Sequence, residues 1–175
     1  LHTQDGQLCD IILDKACLAA IREAGKKSGE KLIENYAEDT VAIANIKIAV
    51  RSQKTGKSAD FMKRAMAPCK NISVDALAHA AAGGFNSICD YLSTAGYGEC
   101  AERLKESPSA FERWCDDRII QTIKPQKYEV ASVGPLFAYV LARENEIKTV
   151  RIILSGKASK LPEEKIRERI REMYV

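Results

Sequence analysis

Val41-Ala42-Ile43-Ala44-Asn45-Ile46-Lys47-Ile48-Ala49-Val50-Arg51 is the stretch that decides the fold. Its apolar residues fall on nearly every side of a 3.6-residue helix, and a helix that is apolar all round belongs at the centre of a bundle. The stretch is also echoed further along the chain. A shift of 100 residues lays Ala42, Asn45, Val50, Arg51, Gly56 and Lys57 on Ala142, Asn145, Val150, Arg151, Gly156 and Lys157, six identities between residues 41 and 61. Each copy reads as a long helix, a Gly-Lys stop and a short helix, because Gly is favoured just past a helix end and Lys suits its negative pole. The expected fold is therefore an all-α helical bundle built from two related helical units. Residues 1–70 form the first copy, truncated at its start, and 71–175 form the second. The repeat positions are Asn45, Arg51, Gly56, Lys57, Asn145, Arg151, Gly156 and Lys157. A polar residue repeated in an apolar helix fixes packing against a neighbour, and that is the role expected of Asn45 and Asn145.

Working outward, Gln7 to Glu23 reads as a helix on Leu8, Ile11, Ile12, Ala16, Ala19 and Ala20, with Asp5 as N-cap and a break over Gly25 to Gly29. Glu30 to Arg51 is the central helix. Short helices follow over Ala59–Met66, Val74–Ala82 (capped by Ser73) and Asn86–Thr94. Ser107-Pro108 places an N-cap before Pro at the first helical position and opens a helix through Ile123. Pro125 and the β-leaning Tyr128 to Val133 form a connector. Gly134-Pro135 then opens a helix whose Leu136, Val140, Ile147, Val150 and Leu154, with Arg143 in the remaining place, repeat at 4-3-4-3-4, a coiled-coil-like seam closed by Gly156. Leu161-Pro162 starts a last helix, with Glu163 and Arg167 four apart.

The chemistry-bearing residues form no catalytic constellation. Thr55-Gly56-Lys57-Ser58 imitates the end of a phosphate loop, but the required earlier Gly is replaced by Arg51 and a helix precedes it where a strand is needed. The six cysteines include no C-x-x-C pair and only His2 and His79 could join them, so no metal or cofactor is expected. Cys9, Cys17 and Cys89 lie in apolar helical patterns, where a thiol is a small buried hydrophobe, and all six read as free thiols of a reducing compartment. His79, Trp114, Asp10, Asp14 and the pair Asp116-Asp117 read as packing, solvated or ion-paired groups. A net charge of +3, from 27 basic and 24 acidic residues, is too small to imply nucleic acid. The longest uncharged stretches, Ala76–Cys89 and Val130–Ala142, are shorter than the roughly 20 residues of a membrane span. The polar start shows no signal peptide, and beginning on Leu1 it reads as a piece of something longer.

The run Gly134-Pro135-Leu136-Phe137-Ala138-Tyr139-Val140-Leu141-Ala142-Arg143-Glu144-Asn145-Glu146-Ile147-Lys148, continued by Val150 to Lys157, Leu161 to Arg169 and the ending Met173-Tyr174-Val175, resembles the C-terminal end of the C-type subunit of V/A-type rotary ATPases, the counterpart of the d-type subunit of the V-ATPase. Asp39 to Lys47 and Ile12 to Ala16 resemble further segments of that family. The resemblance implies an all-helical fold of three similar units around a funnel, of which this chain carries a part, since family members are about twice its length. It departs from the family at Gly134-Pro135-Leu136, where Pro-Glu-Pro-Leu is usual. It implies a non-catalytic central-stalk subunit, not an enzyme by itself, which couples the central shaft (D- and F-type subunits) to the membrane proteolipid ring on the cytoplasmic face of the membrane. The alternative is a helical-repeat scaffold that binds another protein or RNA through Lys47, Arg51, Lys54, Lys57, Lys63, Arg64 and Lys70.

Overall fold

A computed structural model describes residues 6–174; the expected cap Asp5, and His2, lie outside the described residues. Among the described residues every regular element is helical. The elements are α1 Gly6–Lys27, α2 Lys31–Lys54, α3 Ala59–Ala65, α4 Val74–Gly83, α5 Phe85–Thr94, α6 Gly98–Glu106, α7 Pro108–Ile123, a 3-10 turn Lys124–Tyr128, α8 Gly134–Ala158 and α9 Glu163–Arg167. The all-α expectation is met. The expected caps Ser73 and Ser107 form, accepting from the Ala76 and Ala110 N–H groups, and Ser58, not expected as a cap, accepts from the Phe61 N–H. Each satisfies one of the donors that a helix start leaves without an intrahelical partner.

By internal contacts the chain forms two compact units, Leu1–Ala101 and Glu102–Val175. This division differs from that of the sequence repeat, which separates the chain after residue 70. The reason is that α4 and α5 pack back onto α2 and α3. Contact density groups them with the helices they cover, whatever their ancestry.

In the first unit α2 is the central helix, packed by α1, α3, α4 and α5. Ala37, Val41, Ala42, Ile46 and Ala49 are wholly enclosed, as expected of a helix apolar on all sides. Helix α1 has the expected periodicity but a different phase. Ile12, Ala16, Ala19 and Ala20 face outward, while Gly25 is buried and Ile11, Lys15, Leu18 and Arg22 are half-buried. Polar anchors set this phase. Lys15 donates to the Lys63 carbonyl at 3.1 Å, and Arg22 pairs with buried Glu38 at 2.7 Å. The Glu38 carboxylate holds the Arg22 guanidinium above its usual range. The expected break over Gly25 to Gly29 falls at residues 28–30, between α1 and α2, with Gly29 at φ +71°. Gly25 lies inside α1, where a Cβ would come within 2.5 Å of Ala37 Cβ. Cys9 and Cys17, expected to be buried, are exposed on this helix, whereas Cys89, Cys100 and Cys115 are buried.

In the second unit α8 packs on α7, the 3-10 turn and α9. Its buried residues are Gly134, Ala138, Leu141, Ala142, Asn145, Thr149 and Gly156. The expected seam is on the opposite side: Leu136, Val140, Ile147, Val150 and Leu154 are 47–66% exposed. Small and polar residues of α8, with Leu141, face the unit, and the aliphatic residues of the seam face out. The connector after α7 is the 3-10 turn followed by bends, with Tyr128 and Val130 almost fully exposed and no β structure.

Close approach of α1 to α2 makes Gly25 and Gly29 behave differently. Gly25→Leu must wedge the helices apart and is expected to lower the unfolding free energy by about 1–3 kcal/mol. Gly29→Ala meets no atom within 4 Å and suffers only the left-handed backbone, about 1 kcal/mol. Urea unfolding of the two variants measures the difference.

Candidate functional site

Glu38 and Asn45 lie two turns apart on one face of α2, and both reach the chain that follows α3. Asn45 is fully buried. Its Nδ2 donates to the Ala67 carbonyl at 2.7 Å, and its Oδ1 accepts from the Ala67 N–H at 3.1 Å. Glu38 accepts from the Lys70 N–H at 2.7 Å. The segment after α3 has no regular structure to satisfy its own backbone, so these two side chains supply the partners that a buried N–H or C=O requires. Beside them, burial pushes the Cys69 thiol above its ordinary pKa. A thiol held protonated in this way is a poor nucleophile.

The second unit has a clamp of the same kind. Asn145 donates from Nδ2 to the Glu172 carbonyl at 2.7 Å, and Asp117 accepts from the Glu172 N–H at 2.7 Å. Asp116 accepts from Arg171 Nε at 2.6 Å and from Lys148 Nζ at 2.8 Å. The Glu172 carboxylate meets Gln121 and Lys124, and Lys124 holds it below its usual range. Burial would raise the Asp116 carboxyl, but Lys148 and Arg171 outweigh it and the pKa falls. Burial wins at Asp117, which is pushed up. Asn45 and Asn145, read from sequence as packing residues, thus each bind a backbone carbonyl, 22 and 27 residues downstream. The clamp partners Glu38, Asp116 and Asp117 were missed in that role, because charged residues on helices ordinarily face solvent.

The Gly-Lys positions require a correction. Gly56, at φ +65°, closes α2 in a Schellman motif in which the Lys57 N–H donates to the Ser52 carbonyl at 2.9 Å. The same closure in α8 is made by the Leu161 N–H to the Gly156 carbonyl at 2.9 Å, and the left-handed residue is Lys160, at φ +54°. Gly156 is therefore not the stop of α8. It is a buried helical residue whose Cβ would lie 2.7 Å from Ile166 Cγ1. The asparagines are 100 residues apart but the two closures are 104 apart, so α8 runs about one turn longer beyond its asparagine. Lys157 lies exposed inside this extra turn. Lys57 lies over the Phe61 ring at 5.1 Å. Because its N–H is spent on the helix end, Thr55-Gly56-Lys57-Ser58 caps two helices and does not present amides to a phosphate.

Arg51 is exposed and borders a groove of about 510 Å³ between α1, α2 and α3, floored by Ile11, Leu18, Ile48 and Phe61. Arg151 borders a smaller groove of about 290 Å³ between α8 and α9, with Ile152, Leu161 and Ile166. The larger groove is also lined by Asp10, Asp14, Cys17, Lys47 and Lys57. Among the described residues no group of three or more His, Cys, Asp or Glu could hold a metal ion. No helix among them is long and apolar enough to cross a membrane. Of the basic cluster, Lys63 pairs with Asp75 and Lys70 with Glu34. His79 is exposed on α4, and Trp114 is buried.

Known proteins supply the context for this geometry. The family model described as "ATP synthase (C/AC39) subunit" matches residues 1–169. The chain is 24% identical over 169 residues to the C-type subunit of the V-type sodium ATPase of Enterococcus hirae, covering 94% of this chain and 52% of that protein. It is 29% identical over 149 residues to the C-type subunit of the A-type ATP synthase of Desulfurococcus sp., covering 82% and 40%. It is 24% identical over 169 residues to the C-type subunit of the A-type ATP synthase of Methanocaldococcus jannaschii, covering 90% and 42%. The chain thus spans about half or less of the length of these curated relatives. No solved structure gives a significant match.

Three outcomes follow from the clamps. Asn45→Ala strands both the N–H and the C=O of Ala67 and should cost roughly 2–4 kcal/mol in chemical denaturation, against about 1 kcal/mol for Asn145→Ala, which strands one group. Gly156→Ala should cost about 1–3 kcal/mol, most of it recovered when Ile166 is also cut to Ala, as a double-mutant cycle would show. For pH, the lowered Asp116 gives stability that is fully present above its unfolded pKa of 3.8 and is lost as pH falls through the folded value. Raised Asp117 runs the other way: its cost above the folded pKa is relieved on protonation. The stability advantage of wild type over Asp116→Asn should therefore be constant above about pH 5 and shrink as pH falls below about 4, and thermal melts of the two proteins measure it.

Proposed function

Because the chain belongs to the ATP synthase (C/AC39) subunit family, we propose that it acts in a V/A-type ion-translocating ATPase or ATP synthase as a non-catalytic central-stalk subunit, coupling the central shaft to the membrane proteolipid ring. Its partners are the D- and F-type shaft subunits and the ring, and its place is the cytoplasmic face of the membrane, as a peripheral component. The observation that carries this reading is the family match along 1–169, together with relatives that are C-type subunits in both a V-type sodium ATPase and A-type synthases.

The physical requirements of such a part agree with it. A coupling subunit transmits torque, so it must resist deformation, and a closely packed helical core does so because interiors have low compressibility. Helix α2, surrounded by four helices and tied by Asn45 to the chain after α3, is such a core. The clamps of Asn45 and Asn145 also support reading the chain as two related units, 1–70 and 71–175, with the repeat register lengthened by a turn in α8. The ion pairs of Lys63 and Lys70 weigh against a basic face for RNA.

The test is affinity purification of the protein, tagged, from detergent-solubilised membranes of the cells that make it. Shaft and proteolipid subunits should co-purify in fixed proportion, and the isolated chain should show no ATP binding in calorimetry. Recovery of the tagged protein alone, or tight ATP binding by the chain, overturns the proposal.

A further inference from the structure

Residues 151–169 carry six basic and three acidic side chains, an excess equal to the net charge of the whole chain, +3. Part of that charge is neutralised locally: Arg167 pairs with Glu163, and Lys165 with Glu168. Arg151 on α8 and Arg169 just beyond α9 have no ion-pair partner among the described residues, and both border the groove of about 290 Å³ between the two helices. Ser155 and Ser159 border it too, with hydroxyls that make no hydrogen bond among the described residues. No carboxylate among them lines this groove.

The arrangement follows from the packing of α8. Arg151, Ser155 and Ser159 follow one another at four-residue steps, so they share one face of the helix end. Gly156, having no Cβ, lets Ile166 close against α8, and Arg169 follows three residues later on the same groove. A helix C-terminus repels an anion through its unpaired carbonyls. Here the carbonyls of Ser155, Gly156 and Lys157 accept from the N–H groups of Ser159, Leu161 and Lys160, so the end of α8 is already satisfied.

These donors select the ligand. A carboxylate has two oxygens and one charge, which a single guanidinium satisfies in a two-point contact. A phosphate monoester has three acceptor oxygens and between about 1.5 and 2 negative charges, which match two arginines and two hydroxyls. Ile152 and Ile166, in the apolar part of the groove, suit a short apolar stem on that phosphate. Ligand pockets run from about 300 to 1,000 Å³, so this one is at the small end and has no room for a whole nucleotide.

We propose that the α8–α9 groove binds a phosphate monoester on a small apolar stem, with Arg151 and Arg169 on its charge and Ser155 and Ser159 donating to its oxygens. A soluble ester and the headgroup of phosphatidic acid both present this chemistry. The proposal rests on the residues of α8 and α9 alone and stands apart from the rotor reading.

The experiment uses the tagged protein purified from the cells that make it. Butyl phosphate is titrated and followed by phosphorus NMR, with butyrate as competitor. In a second arm the protein is sedimented with phosphatidylcholine vesicles, with and without phosphatidic acid. Butyl phosphate should bind at least fivefold more tightly than butyrate, and Arg151→Gln and Arg169→Gln should each weaken it at least fivefold. Lys157→Gln makes the same charge change on α8 outside the groove and should alter binding less than twofold. All three positions are exposed, so circular dichroism of the variants should be unchanged. Sedimentation with phosphatidic acid that is lost in both arginine variants assigns the lipid source; arginine-dependent binding of butyl phosphate without it assigns a soluble ester. Absence of arginine-dependent binding in both arms, as when another part of the protein fills the groove, overturns the proposal. So does equal affinity for butyrate, or an equal loss in Lys157→Gln.

Discussion

A buried backbone group with no partner costs more than most packing contacts return, and this constraint shapes the first unit. The chain after α3 is buried at Ala67, just beyond the last helical hydrogen bond, from the Met66 N–H to the Met62 carbonyl. Asn45, fully enclosed, binds both polar groups of Ala67, and Glu38 takes the N–H of Lys70. Because the asparagine donates and accepts at one residue, it fixes that segment in position along α2 and in rotation about it. An apolar side chain of similar size would fill the space but leave the register of the segment undetermined. Arg22 on the other oxygen of Glu38 carries the same fixation to α1, so one pair of side chains on α2 ties together three parts of the chain.

The second unit solves the same problem with a different charge arrangement. Asn145 and Asp117 hold the two backbone groups of Glu172, and Asp116 anchors Arg171 next to it. Here the clamp is divided between α7 and α8, and it is partly ionic. It therefore answers to pH in a way that the neutral amide of Asn45 does not. The carboxylates of this clamp are moved in opposite directions by burial and by their cationic neighbours, a consequence of placing charges where water is scarce but partners are close.

On α1 and α8 the packing phase is set by small and polar residues together with a few large apolar ones, Ile11 and Leu18 on α1 and Leu141 on α8. On α1 the buried or half-buried line passes through Lys15, Arg22 and Gly25; on α8 it passes through Asn145, Thr149 and Gly156. Glycines 25 and 156 let a neighbour approach to distances that a Cβ would forbid, and close approach lets main-chain clamps reach. The aliphatic seam of α8 is released from that duty. This is why it faces outward, and why the apolar pattern of α8 taken by itself points to the wrong face.

The helices themselves were legible in the sequence, because their determinants are local. Ser73 and Ser107 cap where expected, Pro108 stands at a first turn, and the all-round apolar character of α2 marks it as central. The sequence also singles out Asn45 and Asn145, polar residues repeated in apolar helices, but not their hydrogen-bond partners, 22 and 27 residues downstream. Three features depended on residues distant in sequence: the phase of α1 and α8, the exposure of Cys9 and Cys17, and the end of α8. Gly56 and Gly156 look equivalent as letters. Only the contact with Ile166 makes the second a packing glycine, while a left-handed Lys160, four residues later, makes the turn. A helix is written in hydrogen bonds between residues four apart, which the sequence displays directly. The choice of its buried side is written in contacts between residues tens of positions apart, which exist only once the chain has folded.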